Sequence, residues 1–550
     1  MLAMIQPAIA QENDVDSGPD EAAASEPTTF YVGEFRVRGN TLLTPVQIEL
    51  TLYPFLGEEK SIQDVEAARK ALEQRYRDAG FPTAFVDIPE QDVVDGVVFF
   101  DVTEGKVQRL TVTGSRYFSL RRIRSKVPAL AEGGVPYLPQ VESEIGRLNQ
   151  VTSDRAVTPL LRPGSQPGML EVELRVNDEP PLHGDITFNN RYSNNTTQQR
   201  LSASIRYDNL WQKEHSLSLQ YQTSPQDTDE VKVLAGTYLW RFENTDNLLA
   251  LYAVHSKSQT AALESLTVLG DGDVVGVRSI LPMDPLQNYF HSFSVGLDFK
   301  DFNEGLDALG ADNPQTTPVD YLSFAGQYNA TRRAANSPSL TRFGVGMNFN
   351  ISGISDDDIP CERLADLDND GIAESIVTES LHEFTCKRAN AKTNYYYLTG
   401  NIERRQDLGW HGTSLRITLD GQLADSALIS NEQFAAGGVT SVRGYPESHA
   451  LGDMGVAGSI EFVTPSFHKY LDDHLQNLTF HLFADGAKVK LLDPLPSDDP
   501  QAELYSAGFG FRLTAWKHLE VSGDLAEPLH TNGTVEEKDT RGHFEFKYVF

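Results

Sequence analysis

Arg443 is the residue whose chemistry stands out first. It lies in Thr440-Ser-Val442-Arg443-Gly444-Tyr445-Pro446, a glycine-rich loop between two alternating stretches. A guanidinium is a permanent cation whose planar fork matches a carboxylate. Gly444 lets the backbone turn where a Cβ would clash, Tyr445 adds a large amphipathic ring, and Pro446 stiffens the exit. A carboxylate that could meet this cation is Asp485, in Leu478-Thr-Phe-His-Leu-Phe483-Ala-Asp485-Gly-Ala487. Period-two counting puts Leu478, Phe480, Leu482 and Ala484 on one face and Thr479, His481 and Asp485 on the other. An ion pair forms if that second face is a lumen and the loop folds back into it. Taken alone, the loop residues read equally well as an ordinary surface turn.

Asp366, Asp368 and Asp370 in Asp366-Leu-Asp-Asn-Asp-Gly371-Ile-Ala-Glu374 have the spacing of the front half of a calcium loop. Carboxylates at its first, third and fifth positions converge on a hard cation, and the sixth-position glycine allows the sharp turn. The twelfth position is Val377 rather than a bidentate Glu, so a full EF-hand is disfavoured and a solvated acidic loop is the competing reading. Cys361 and Cys386 flank the segment and could staple it in an oxidising compartment. Catalytic chemistry has little support: no Ser/His/Asp order, zinc spacing or phosphate-cradling glycine loop stands out. His183, His255 and His449 read as scattered surface groups.

Residues of these kinds must be positioned by something, and composition narrows the choice. The 550 residues suffice for several domains or one large barrel with appendages. No run of about 18 apolar residues appears, which excludes a membrane-spanning helix. It leaves a membrane β-barrel open, because alternating strands average out to polar. Seventy-eight acidic against 46 basic residues give a net charge of -32, which argues against nucleic acid as a partner. Residues 1–10 resemble the tail of a secretory signal ending in Ala-x-Ala, without its basic start. Residues 11–28 are acidic, small and proline-containing, and read as a flexible tether.

From 29 to 104 the expected order is strand, helix, helix, strand, strand. Phe35-Arg-Val-Arg-Gly-Asn40 alternates and turns, Thr44-Pro opens a helix, and Ser61-Ile-Gln-Asp64 opens a second one with a capping box. Val65, Ala68, Leu72 and Tyr76 recur at helical spacing before Gly80. Residues 105–178 repeat this more loosely: Lys106–Gly114 matches Val32–Gly39, helical stretches follow near 119–130 and 138–153, and Met169–Val176 closes the unit. Gly80-Phe-Pro-Thr-Ala-Phe-Val-Asp-Ile-Pro-Glu-Gln-Asp92, Gly96-Val-Val and Val102-Thr-Glu-Gly105 resemble the first POTRA domain of two-partner secretion transporters. That resemblance implies two periplasmic modules, POTRA 1 over 29–104 and POTRA 2 over 105–178, which bind substrate by adding a strand to a sheet edge. Unpaired edge amides accept an extended chain of almost any sequence.

After Pro180-Pro181 the pattern becomes a ladder of alternating strands. Leu201-Ser-Ala-Ser-Ile-Arg-Tyr-Asp208, Leu217-Ser-Leu-Gln-Tyr-Gln222, Leu415-Arg-Ile-Thr-Leu-Asp-Gly421 and Phe544-Glu-Phe-Lys-Tyr-Val-Phe550 each carry one apolar and one polar face. Lipid outside and water inside account for that, whereas a soluble sandwich would not hide so many polar groups. The fold class predicted is mainly β, with a sixteen-stranded transmembrane antiparallel barrel over 181–550. Strands are expected to start near 182, 199, 215, 230, 247, 273, 288, 319, 338, 391, 412, 453, 476, 502, 517 and 542. Connections alternate short and long, and parity puts Cys361, Cys386 and the Arg443 loop on the external side.

The same family resemblance, to haemolysin secretion/activation transporters, extends over roughly 28–550 and implies the site geometry. In that family a lumenal loop, here 425–452, carries Val442-Arg443-Gly444-Tyr445 to an inner-wall Phe-x-Asp-x-Gly motif. Here the wall motif is Phe483-Ala-Asp485-Gly-Ala487, with Ala487 in place of the last glycine, which puts a close backbone approach in question. A single Arg–carboxylate pair in a wet lumen is expected to contribute ~1–2 kcal/mol. The terminal Phe550 is expected in the aromatic girdle, and in the family such an end is read by the barrel-assembly machinery. Family members often carry an N-terminal helix that plugs the pore; the composition of 11–28 does not suit one.

The implied function is secretion of an unfolded exoprotein across a Gram-negative outer membrane. The implied partners are that exoprotein, the assembly machinery and outer-membrane lipid, with no required cofactor. The alternatives are an assembly insertase of the same superfamily, which usually carries three or more POTRA modules, or a passive porin or receptor, which needs none.

Overall fold

The computed structural model describes residues 29–550 except 195, 244, 259, 264–265, 270, 285, 304, 307–314, 352–357, 366–374, 469–473 and 497. Residues 1–28 and the acidic triad Asp366, Asp368 and Asp370 therefore lie outside the described residues. The chain divides into two units, Met1–Glu179 and Pro180–Phe550.

The first unit holds two three-stranded sheets of one design. In the first, Glu34–Arg38 pairs parallel with Val97–Glu104, which pairs antiparallel with Ala84–Asp87. In the second, Lys106–Thr113 pairs parallel with Met169–Asp178, which pairs antiparallel with Arg155–Pro163. Each sheet packs against helices: Pro45–Leu52 and Ile62–Asp78 in one, Leu120–Ser125 and Leu138–Gln150 in the other. The capping boxes form at Thr44 with Gln47 and at Ser61 with Asp64. Val65, Ala68, Leu72 and Tyr76 are buried against Val98, Phe100 and Val102.

The repetition extends to single atoms. Gly39 and Gly114 both turn with positive φ, and a Cβ on either would strike the carbonyl of Val102 or Val176 in the central strand. A carboxylate at the end of that strand then caps the turn. Glu104 accepts from the N–H groups of Thr41 at 2.6 Å and Leu42 at 3.0 Å. Asp178 accepts from the N–H groups of Arg116 and Tyr117, both at 2.9 Å.

One strand falls outside the sequence expectation: Arg155–Pro163 occupies a sheet edge although it contains Pro159 and ends on Pro163. An edge tolerates the missing donors that a central strand would not. A further small pairing joins Phe30–Val32 to Gly57–Lys60.

The second unit is a closed barrel of sixteen antiparallel strands. The strands are Leu182–Asn189, Arg200–Leu210, His215–Thr223, Lys232–Arg241, Leu248–Lys257, Gly272–Pro282, Tyr289–Phe302 and Val319–Arg333. The next eight are Leu340–Asn350, Tyr396–Asp407, Ser414–Ala424, Met454–Val463, Leu475–Lys490, Gln501–Ala515, Leu519–Pro528 and Arg541–Val549. The sixteenth closes on the first through pairs from Glu545↔Asn189 to Val549↔Asp185.

Alternation decides what each face meets. Phe480 and Leu482 are 46% and 62% exposed on the outer wall, while His481, Phe483 and Asp485 on the opposite face of the strand are buried within. The same outer wall carries Leu201, Ile205, Leu219, Leu419, Ile460 and Phe509, the apolar band expected of a lipid-facing surface. Trp211, Trp410 and Trp516 stand exposed in short turns at the end where the chain enters the barrel, as in an interfacial aromatic girdle. Phe550 is half-exposed and exchanges two backbone hydrogen bonds with Gly184, at 2.9 and 3.1 Å. Cys361 and Cys386 are joined by a disulfide with their Cα atoms 5.8 Å apart, at the base of the external hairpin Asp358–Ala365/Ser375–His382.

Candidate functional site: the lumenal loop and the inner wall

The loop between the eleventh and twelfth strands folds back into the barrel. Its arms pair as Phe434–Ala436 with Ala450–Gly452, which carries the intervening residues forward as a unit. The tip closes on itself where the Gly438 N–H donates to the Tyr445 carbonyl at 3.1 Å. Glu447 ties the tip to the segment after the first strand: its N–H donates to the Tyr192 carbonyl at 2.8 Å, and its carboxylate meets Arg191 at 3.1 Å.

At that tip Arg443 grips Asp485 with both prongs. Nε donates to Oδ2 and Nη2 to Oδ1, each at 2.8 Å, and the Arg443 backbone N–H adds a third bond to Oδ2 at 3.1 Å. Nη1 donates to Glu461 Oε1 at 2.7 Å, and Nη2 to Ser459 Oγ at 3.1 Å. The guanidinium carbon lies 3.4 Å from the centroid of the Phe483 ring, so the phenylalanine of the wall motif acts as a cation–π floor. Arg512 supplies a second cation, donating to both oxygens of Glu461 at 3.0 Å. His481 and Asp524 meet at 2.6 Å beside the cluster.

The neighbours of Arg443 each have a mechanical task. Gly444 turns at φ +90 with Pro528 3.3 Å from where a Cβ would sit, and its N–H donates to His543 Nε2 at 2.9 Å. Tyr445 is fully buried and donates its hydroxyl to the His530 carbonyl at 2.6 Å. Val442 and Tyr445 share an apolar cluster with Ala457, Ala487, Val489 and Leu504. Ala487 therefore packs its methyl group into the dock, where the family pattern has a glycine, and the loop still reaches the wall.

Two expectations change. The pair is not in a wet lumen: the side chains of Arg443 and Asp485 are 5% and 1% exposed, so breaking it leaves a buried charge rather than a solvated one. His449 is not a surface group either, since it is half-buried and bonds Asn194 at 3.0 Å and the Asn532 carbonyl at 2.9 Å. The residues that sequence reasoning missed here are Ser459, Glu461, Arg512, Asp524 and His543. Glu461 and Arg512 sit on the inward parity of their strands, so counting outward from Asp485 through the neighbouring strands would have found them.

Residues 30–105 match the family model described as POTRA domain, ShlB-type, and residues 374–513, which include the loop and its dock, match that of haemolysin secretion/activation protein ShlB/FhaC/HecB. Over these two segments the chain is similar to this family. The outer membrane transporter CdiB of Dickeya dadantii is 24% identical over 94% of this chain and 86% of its own length. The heme/hemopexin transporter protein HuxB of Haemophilus influenzae is 21% identical over 94% and 87%. Among solved structures, CdiB from Escherichia coli superposes with a TM-score of 0.62 at 18% identity, covering 97% of this chain and 93% of that one. BamA from Haemophilus ducreyi lacking POTRA domains 1-3 gives 0.55 at 13%, covering 95% and 100%, a likeness of fold. This protein is a two-partner secretion translocator of the outer membrane, with its POTRA region in the periplasm.

Proposed function

We propose that this translocator catches an unfolded exoprotein at a free sheet edge of its periplasmic modules and passes it outward through the barrel. The observation that carries this reading is the Arg443–Asp485 dock: a loop long enough to fill the lumen is held to the wall by side chains that can let go. The edges differ in what they offer. Pro159 and Pro163 remove donors from the Arg155–Pro163 edge, whereas Glu34–Arg38, Ala84–Asp87 and Lys106–Thr113 contain no proline and have one strand neighbour each among the described residues. These three are the better templates for an added strand.

The periplasm offers no ATP, so folding of the cargo outside supplies direction. A bound calcium ion in the external loop at Asp366, Asp368 and Asp370, and handling of Phe550 by the assembly machinery, belong to this same reading as untried parts of it. Isothermal titration of calcium into the full chain against an Asp366→Ala/Asp368→Ala variant tests the first. For the function itself, polypeptides retained in the periplasm of a deletion strain are compared with wild type. One large exoprotein supports secretion, whereas a general deficit of barrels points to an assembly insertase and no change points to a porin.

A further inference from the structure

The lumen changes character along its length. Toward the end where the chain enters, a cavity of about 520 Å³ has a mixed lining, with Asp185, Arg206, Gln220 and Arg278 beside Ala235 and Ala250. Toward the external end the inward positions become apolar: Val233, Val254, Val274, Phe302, Val319 and Tyr321. All six are buried. Side chains facing an aqueous channel have no reason to be apolar, and none to be buried, unless something covers them.

Two loops provide the cover. Leu428 and Ile429, from the root of the lumenal loop, pack into this cluster, as do Phe384 and Ala391 from the external loop that the Cys361–Cys386 disulfide closes. The Phe384 ring stands edge-on to Tyr321 with centroids 5.2 Å apart.

Two buried carboxylates pin the cover. Glu432 accepts from Lys300 and from the Tyr321 hydroxyl, each at 2.5 Å, and from the Tyr397 hydroxyl at 2.7 Å. Asp453, with no exposed surface, takes both prongs of Arg388 at 2.5 and 3.0 Å. It also accepts from the N–H groups of Leu428 at 2.9 Å and Leu492 at 2.6 Å, and from Gln433 at 3.1 Å. Arg388 in turn donates to the Leu428 carbonyl at 2.5 Å and the Leu492 carbonyl at 3.1 Å. One ion pair thus joins the stapled external loop, the root of the lumenal loop and the connection after the thirteenth strand.

We infer that the external mouth is closed by an apolar seal, separate from the Arg443 dock, for which Asp453 and Arg388 are the positioning residues that hold the cover in place. The inference rests on the reading of the barrel as a gated pore and assigns that gate a second part. A cargo chain leaving the barrel must displace Leu428, Ile429 and Phe384, and the inward valines and aromatics then become the surface it slides past.

The test uses the full chain, purified and inserted into planar lipid bilayers with no cargo. Asp453→Asn keeps the shape of the side chain and removes the charge that Arg388 seizes. Leu428→Ser/Ile429→Ser breaks the apolar contact and leaves every ion pair alone. Each variant is expected to raise time-averaged conductance at least three-fold while keeping the heat-modifiable migration of a folded barrel. Should Asp453→Asn fail to fold, the Leu428→Ser/Ile429→Ser variant decides. A folded variant with unchanged conductance overturns the seal. Because no cargo is needed, that outcome stands even where secretion is demonstrated. Conversely, a deletion strain that retains no exoprotein leaves the conductance result untouched.

Discussion

The tip and the root of one loop are fastened to the barrel by different physics. At the tip, Arg443 is held by Asp485 and Glu461, with Arg512, Asp524 and His481 completing a charged patch around it. At the root, Leu428, Ile429 and Phe384 fill an apolar recess, and the charges of Glu432 and Asp453 act as pins through it. Both sites are buried, so both are costly to disrupt. The difference lies in what replaces the contact when it breaks. The charged tip can trade its partners for water or for the polar side chains of the lumen. An apolar seal has only another apolar surface to trade for, such as the side chains of an unfolded chain. The tip is thus built to hold position, and the root to exclude water.

The largest effect that tests this contrast comes from Arg443→Ala. It strands Asp485 without its cation, while Glu461 keeps Arg512, and leaving a buried charge unpaired costs ~3–5 kcal/mol. Secretion is expected to fall by more than ten-fold, measured as exoprotein in the medium, while heat-modifiable migration shows the barrel still closed. Wild-type secretion from this variant would remove the tip from the mechanism and leave the root as the only gate.

The two ends also differ in how far the sequence disclosed them. The tip was legible because its residues are contiguous: Val442–Tyr445 on the loop, and Phe483 and Asp485 two apart on one strand face. The sixteen strands were legible for a similar reason, since period-two alternation is local and survives errors of a few residues. The root was not, because Lys300, Tyr321, Arg388, Tyr397, Glu432 and Asp453 come from five different parts of the chain, and no local pattern joins them. A faint signal was present all the same. Val233-Leu234, Val274-Val275 and Tyr321-Leu322 each place two apolar residues in succession where strict alternation would put one inward polar group. The strand Arg155–Pro163 was missed for another reason: its prolines argue against a strand, and only its position at an edge permits them.

Gly444→Ala sharpens the contrast at moderate size by deforming the tip without touching a charge. An alanine at φ +90 is strained by about 1–2 kcal/mol, and its methyl group also presses on Pro528, 3.3 Å away. The Arg443 fork should then sit off its axis, with the apparent midpoint of chemical unfolding lowered and secretion reduced several-fold. Resting conductance should stay at the wild-type level if the root alone excludes water. A conductance rise equal to that of the seal variants would mean that tip and root are one device.

Tyr321→Phe is the smallest and most exacting probe, because it removes one hydroxyl from the root and almost nothing else. The hydroxyl donates to Glu432, which keeps Lys300 and Tyr397, so the loss should be ~1 kcal/mol in chemical unfolding. Combined with Gly444→Ala it should be additive to within about 0.5 kcal/mol, as for two sites that share no partner. The apolar ring stays in place under Phe384, so the seal should still exclude ions even though its pin is weakened. Coupling well above that value would show strain passing along the loop from tip to root, and the two fastenings would then have to release together as cargo enters.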